Sequence, residues 1–300
     1  MYSRWANFTV IVLWLATMTW LVKARMLPSL LVGEPPDRQN ILAARQKEPL
    51  VGWHLCWNNQ AVGWALSLTR PLPRGFTEIR SRVHFARLPI GEMTPGWLRA
   101  LLDTLEAPPA WIKADARTTL SVDADGQLSR VQSTVHFGSL GEAVCMTGEV
   151  KGTKMAISVQ SRELSDQREI PINIKALRGE TFSPQTQLPG LHKGQTWTVE
   201  VCSPLGYASS PVEVLQAKVV ELDRFFWRGD MLPAWRVEYH SKPGFQLSTA
   251  REPRGCLWVR PDGTVLAQEV SILNSKMRFV RMGETEAAAL ADKHKLTGTQ

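Results

Sequence analysis

Hydrophobic and polar positions change their rhythm along this chain. From Trp5 to Val22, eighteen residues run without a charge, fenced by Arg4 before them and by Lys23 and Arg25 after them. A run of this length is at the short end of what crosses a hydrocarbon core of about 30 Å. In lipid its backbone must bond to itself, which makes it a helix. Trp5 and Trp20 stand near its two ends, where indoles favour the headgroup region. Met18-Thr19-Trp20-Leu21-Val22 offers no small-x-small cleavage site, and no Cys follows for lipid attachment. An uncleaved signal anchor with a short N-terminal tail is therefore expected over residues 1–23. The flanking Lys and Arg counts nearly tie, so the N-in, C-out orientation rests on the plan of a short tail before a long domain. Residues 24–49 read as a stalk, broken by Pro28, Gly33, Pro35 and Pro36.

From Leu50 the pattern alternates with period two. Trp53, Leu55 and Trp57 share one face of a strand, Asn58-Asn59-Gln60 turns the chain, and Val62, Trp64, Leu66 and Leu68 line the next strand. A third strand sets Ile79, Val83 and Phe85 against Glu78, Arg80, Arg82 and His84. One dry and one wet face mark an antiparallel sheet. Period 3.6 then appears once in the body. Thr94 is a candidate N-cap and Pro95 a first helical residue; Trp97, Leu98, Leu101, Leu102 and Leu105 recur on one face, and Pro108-Pro109 ends the run. Strands resume over 118–122, 128–137, 143–159, 196–202, 212–222, 234–240, 255–260 and 264–273. Turns fall at Asp123-Ala124-Asp125-Gly126, Lys151-Gly152 and Pro261-Asp262-Gly263. Residues 178–190 are a polar connection. A short helix from about Glu284 to Lys295 closes the chain, with acids first and bases last, as its dipole favours.

These elements predict a mainly β protein: a large curved antiparallel sheet of about a dozen strands, half-barrel-like, with one packed helix, behind an N-terminal transmembrane helix. Composition adds little. Hydrophobic residues at 44 % support a core, and the net charge of +7 is spread without a basic run. That excludes a clustered nucleic-acid surface and suits an anionic bilayer. Cys56, Cys145, Cys202 and Cys256 form no CxxC pair, so three disulfide pairings and free buried thiols all stay open.

Candidate chemistry is sparse. No P-loop, dinucleotide fingerprint, Gly-x-Ser-x-Gly or His-Glu-x-x-His occurs, so no cofactor and no metal is expected. His84 and His136 lie in strands that a sheet can bring together. Asp123-Ala124-Asp125-Gly126 lacks the later ligands of a calcium loop and reads as a hairpin turn. Arg228-Gly229-Asp230 also reads as a turn. Tryptophan usage says more, with twelve in the chain. Trp53, Trp57, Trp64, Trp97, Leu101, Trp197 and Trp235 are the residues expected to line an apolar cleft, with the helix from Thr94 as its lid.

Three stretches resemble a known group. These are Trp53–Trp64, Leu191-His192-Lys193-Gly194-Gln195-Thr196-Trp197, and Leu257-Trp258-Val259-Arg260-Pro261-Asp262-Gly263-Thr264-Val265-Leu266. They resemble, in the same order, strands of uncharacterised bacterial periplasmic β-proteins similar to the LolA/LolB-type half-barrels. The resemblance covers about residues 50–282 and implies a curved sheet around a helix that holds acyl chains. The expected organisation is an anchor over 1–23, a stalk over 24–49, a β domain over 50–282 and a C-terminal helix and tail over 283–300. The expected function is non-enzymatic binding of a lipid, acyl chain or other hydrophobic ligand. The site is the periplasmic face of a bacterial inner membrane, spanned once, with membrane lipid as partner and no nucleic acid. Two further readings stand beside it: a scaffolding subunit with an envelope protein partner, and an enzyme with a dispersed polar site.

Overall fold

Alternation from Leu50 onward becomes strand after strand. The computed structural model describes residues 35–89, 111–138, 142–162, 165–171, 177–180, 184–202, 212–241, 253–272 and 275–294. The first meander is β1 (Leu50–Trp57), β2 (Gln60–Pro71), β3 (Thr77–Pro89), β4 (Trp111–Val122), β5 (Leu128–Phe137), β6 (Glu142–Lys151), β7 (Lys154–Gln160) and β8 (Ser165–Pro171). After β9 (Leu177–Glu180) comes a second meander: β10 (Thr196–Cys202), β11 (Val212–Trp227), β12 (Asp230–Ser241), β13 (Gly255–Val259), β14 (Val265–Ile272) and β15 (Ser275–Arg281). All fifteen lie in one sheet, ordered β8-β7-β6-β5-β4-β3-β2-β1-β15-β14-β13-β12-β11-β10-β9. Fourteen pair antiparallel, and β9 joins β10 in parallel. The order never returns on itself, so the sheet stays open with β8 and β9 as edges. The two meanders meet where Trp53 faces Arg281 and Trp57 faces Met277.

Antiparallel alternation gives the sheet two rims. The lower rim carries the start of β1 and the turns β2–β3, β4–β5, β6–β7, β11–β12 and β13–β14. The Asn58-Asn59 turn and the start of β4 lie on the upper rim. Local chemistry fixes these turns. Asn58 and Asn59 both take positive φ (46° and 66°), the geometry of a two-residue hairpin turn. The Asn58 side chain also accepts from Lys276 N at 2.9 Å, which ties the turn to β15. Asp123 Oδ1 accepts from Asp125 N at 3.1 Å and Gln127 N at 2.8 Å, and Gly126 takes φ 74°. The Asp-rich stretch is thus a turn, as its spacing implied.

One face of the sheet is the core. Val51, Trp53, Leu55 and Trp57 of β1 join Val83 and Phe85 of β3, Ile112 and Ala116 of β4, and Trp197, Val219, Val237, Leu257 and Phe279 of the second meander. A second cluster holds Ile79, Leu120, Val131, Met155 and Ile157. Between the two runs a row of hydroxyls, Ser67–Ser81–Thr118–Ser133, each residue facing the next across strands. All four are buried, and they bond in pairs: Ser81 to Ser67 at 3.4 Å, and Thr118 with Ser133 at 2.9 Å. Pairing removes most of the cost of burying a hydroxyl.

Among the described residues, two α-helices flank the sheet. The expected stalk contains one of them, α1 (Arg38–Lys47), which corrects the reading of irregular chain there. Asp37 caps it by accepting from Gln39 N at 3.1 Å, and Arg45 and Lys47 lie in its last turn. Its sequence is polar apart from Ile41-Leu42-Ala43-Ala44, so no wide apolar stripe announces it. Packing of Ile41 and Leu42 onto the core holds it instead. The other helix, α2 (Glu284–Lys293), matches the closing helix and lies on the opposite face of the sheet. There Ala287 and Ala291 pack with Leu66 and Met282. Gly52 permits the approach, since a Cβ there would stand 2.8 Å from Ala287 Cβ and 2.9 Å from Met282 Sδ.

Residues Pro35–Gln300 form a compact unit by themselves. The run Trp5–Val22 and the helix expected from Thr94 lie outside the described residues. Among the described residues, no helix is long and apolar enough to cross a membrane.

Candidate functional site

The tryptophans expected to line a cleft divide into three groups. Trp53, Trp57 and Trp197 are buried in the main core, with Trp235 packed against it. At the junction of the meanders the Arg281 guanidinium covers Trp53 at 5.6 Å, and the Nε1 atoms of Trp53 and Trp197 are enclosed without a hydrogen-bond partner. Trp64 is apart from them, on the face that α2 covers. Trp97 and Leu101 lie outside the described residues. Large indoles at the junction of two meanders contribute to the core there.

Exposed apolar surface lies elsewhere, on the hairpin of β11 and β12. These strands outrun their neighbours. β10 pairs with β11 between Val212 and Lys218, and β13 pairs with β12 between Trp235 and Tyr239. A register shift between Val219 and Glu221 bends the remainder. The free arms then lie across the outer face as a second layer. Phe225 meets Trp258 at a tilt, ring centroids 5.2 Å apart, Arg278 sits over both rings, and Trp227 Nε1 donates to Arg281 O at 2.9 Å. Phe225, Trp227, Leu232, Ala234, Leu266 and Trp258 form the small core beneath. Alternation turns the other residues outward. Leu222, Phe226 and Met231 are exposed, and Phe226 faces Met231 directly across the ribbon. The tip is a tight turn, with Arg228 at φ 52° and Gly229 at φ 94°. The sequence carried a signal for this: Phe225-Phe226-Trp227 is apolar on both faces of a strand, which a one-sided sheet does not need.

The polar alternative centres on Asp115, also on the outer face. Cross-strand register sets His84 on one side of it and His136 on the other, so the sheet does bring both histidines to one carboxylate. Asp115 Oδ2 accepts from Arg82 at 2.8 and 3.1 Å, and Oδ1 accepts from Arg117 at 3.4 Å. His84 Nδ1 stands 3.5 Å away. Partial burial pushes the Asp115 pKa up, but the Arg82 and Arg117 bonds and charges outweigh it and hold the carboxyl below its usual value. A carboxylate so occupied is a poor general base. Its surroundings suggest a strut: Trp64 stacks on His84 and meets His294 at 4.4 Å, and Arg82 reaches His294 O at 3.5 Å. The cluster fastens the end of α2 to β2, β3 and β4. Among the described residues no three His, Cys, Asp or Glu stand together as metal ligands.

A third polar group closes the core at the lower rim. Arg281, buried on the core face, donates to Thr186 O and Val265 O at 3.1 and 3.2 Å and pairs with Glu48. Gln187 Nε2 donates to the second Glu48 oxygen at 2.8 Å, and Arg45 donates to Gln185 Oε1 at 2.9 Å. Burial lowers the Arg45 pKa to about 10. These bonds join α1, residues 185–187 and β15, a structural role. A groove of about 660 Å³ also runs over β5–β8. Ion pairs such as Arg130–Glu149 at 3.9 Å and Lys154–Glu169 at 3.1 Å border it, a rim unsuited to an acyl chain. Cys56, Cys145 and Cys256 are unbridged, and burial followed by Glu238 and Glu269 raises the Cys256 thiol to about 11, so it is no ready nucleophile.

No family model matches this chain, and no curated protein does. Solved structures do. A β-barrel-like protein of the domain of unknown function DUF1849 from Brucella abortus aligns with 78 % of this chain and 94 % of its own, at TM-score 0.45 and 10 % identity. A DUF1089 family protein from Pseudomonas aeruginosa aligns with 67 % of this chain and 87 % of its own, at TM-score 0.34 and 15 % identity.

Proposed function

We propose that this is a membrane-tethered, non-enzymatic protein of the bacterial envelope that holds a lipid, acyl chain or other hydrophobic partner on the outward face of the β11–β12 hairpin. The tether is Trp5–Val22, and the β domain stands on the periplasmic side of the inner membrane. One observation carries the reading. Phe226 and Met231, 64 % and 55 % exposed, face each other on a ribbon that Phe225 and Trp227 clamp to the sheet. A rigid apolar patch left in water favours whatever covers it, at about 25 cal/mol per Å². A tether suits a stationary role rather than the shuttling that the LolA/LolB resemblance implies. The scaffolding reading has weaker support, because edge strand β8 carries Asp166, Arg168 and Glu169, charges that discourage strand addition.

Titration of a dansyl-labelled fatty acid against residues 35–300 tests the proposal. Saturable binding is expected, and Phe226→Ser with Met231→Ser should weaken it about tenfold. Equal binding by the double variant would remove the hairpin from the account.

A further inference from the structure

Seven large hydrophobics are exposed among the described residues, and six belong to two hairpins, Val214 at the far end of β11 and the other five nearer the turns. Leu222, Phe226 and Met231 lie on β11–β12. Leu72 and Phe76, 41 % and 39 % exposed, lie in the turn between β2 and β3. Strand alternation puts the β2–β3 turn on the lower rim, and the bond from Trp227 to Arg281 O and the contact of Arg228 with Gly283 hold the folded-over β11–β12 tip beside the lower end of β15. An exposed arginine flanks each: Arg74 beside the first, Arg224 beside the second. The chain also enters the domain on this rim. Arg38, at the start of α1, lies against Gly126 in the β4–β5 turn, where an added Cβ would stand 3.0 Å from Arg38 Cβ. Only residues 23–34 separate Val22 from Pro35, a reach of about 45 Å at full extension.

From these observations we infer that the lower rim faces the bilayer, and that the β2–β3 turn and the β11–β12 hairpin both dip into the headgroup region of an anionic membrane. This rests on the tether and hairpin contact proposed above and adds a second foothold at Leu72 and Phe76. Apolar side chains flanked by arginine are the composition an anionic interface selects, because the rings enter the acyl boundary while the guanidiniums meet phosphates. Two footholds fix orientation, which a single tether does not. Trp111, 46 % exposed on the upper rim, is then turned away from lipid.

The experiment places spin labels singly at positions 72, 76, 226 and 111 of the full chain, in nanodiscs of equal phosphatidylcholine and phosphatidylglycerol. The background has Cys56, Cys145, Cys202 and Cys256 replaced by serine. Oxygen accessibility relative to a water-soluble relaxant should be about threefold higher at 72, 76 and 226 than at 111. Labels at 72 and 76 as wet as the one at 111 overturn the inference, while 226 in lipid would leave the hairpin contact standing. Should the cysteine-free chain not fold, flotation of residues 35–300 with vesicles of the same lipids replaces it. Leu72→Asp with Phe76→Asp should cut flotation about tenfold. Undiminished flotation of that variant, with loss in Phe226→Asp/Met231→Asp, overturns the second foothold alone. No flotation of the unmodified protein overturns both readings.

Discussion

Among the described residues, two elements cover the outer face of the sheet, and they finish their own outer surfaces in opposite ways. Helix α2 buries Ala287 and Ala291 over Gly52 and Leu66 and turns Glu284, Glu286 and Asp292 to water. The β11–β12 hairpin buries Phe225, Trp227 and Leu232 and turns Leu222, Phe226 and Met231 outward. The two meet at Gly283, where a Cβ would lie 2.5 Å from Arg228 Nη1. They share a location and a task, so fold stability alone does not explain why only one has an apolar outer surface. The helix is a finished cover. The hairpin is a cover with a second apolar face, and that face lacks a structural duty.

Breaking the shared foundation has the largest effect. Trp53→Ala removes the indole under Arg281 at the junction of the meanders, and should cost about 3–5 kcal/mol in urea unfolding. Both covers should loosen together in hydrogen exchange. A loss below about 1 kcal/mol would mean that Trp53 fills less of the core than its complete burial implies.

Lifting one cover at a time is the next test. Gly52→Leu drives a side chain into Ala287 and Met282, and should cost about 1–3 kcal/mol while exposing α2 amides to exchange. The hairpin should keep its protection. Trp227→Phe keeps an aromatic ring, though a smaller one, and removes the bond to Arg281 O, at a cost of about 1–2 kcal/mol confined to the hairpin. If each variant loosens the opposite element instead, the two covers are one cooperative unit and the comparison fails.

Acidification should separate them as well. Burial, then the charges of Arg82, Lys293 and His84, hold His294 below its usual 6.5, with Asp115 pulling the other way. Above that value the imidazole is neutral in folded and unfolded chains, and nothing is lost. Below it the unfolded chain takes up a proton that the folded one resists, so stability falls with pH until the lowered folded value is passed. Amide exchange in α2 should quicken between neutral pH and pH about 5 more than in the hairpin, and His294→Gln should flatten that dependence. Faster exchange in the wild-type helix at neutral than at acid pH, after correction for intrinsic rates, contradicts the sign.

These elements also show what the residues revealed before any fold was known. The hairpin turn at Asn58-Asn59, the Asp123 turn and α2 were all legible, because each depends on residues close in sequence. The dry faces of β1 and β3 were legible for the same reason, whereas the one face expected for β2 is divided, with Val62 in the main core and Trp64 and Leu66 under α2. Helix α1 was not, since Ile41 and Leu42 become a helix face only when the core stands opposite them. Strands β8 and β9 were missed because an edge strand has no need of an apolar face: Ser165–Pro171 is mostly polar. Tryptophan frequency pointed to apolar surface, but sequence does not report which indoles the fold encloses: Trp53 and Trp197 are fully buried. The hairpin's second layer rests on Phe225 meeting Trp258 and Trp227 reaching Arg281, pairs 33 and 54 residues apart, which no local pattern encodes.

The smallest expected change in stability is the sharpest test of the comparison. Phe226→Ser removes a ring that is 64 % exposed, and surface substitutions of this kind stay within about 0.5 kcal/mol. The matching change on α2, Glu286→Ser, removes the 2.9 Å pair with half-exposed His54 and should be as mild, because exposed pairs contribute little. In unfolding experiments the two variants should therefore look alike. Against the dansyl fatty acid they should differ, with Phe226→Ser weakened and Glu286→Ser unchanged. If Phe226→Ser instead costs 2 kcal/mol or more, beyond what an exposed side chain carries, then the ring is packed against the protein itself. The outward face of the hairpin would then be a finished surface like that of α2, with no partner to explain.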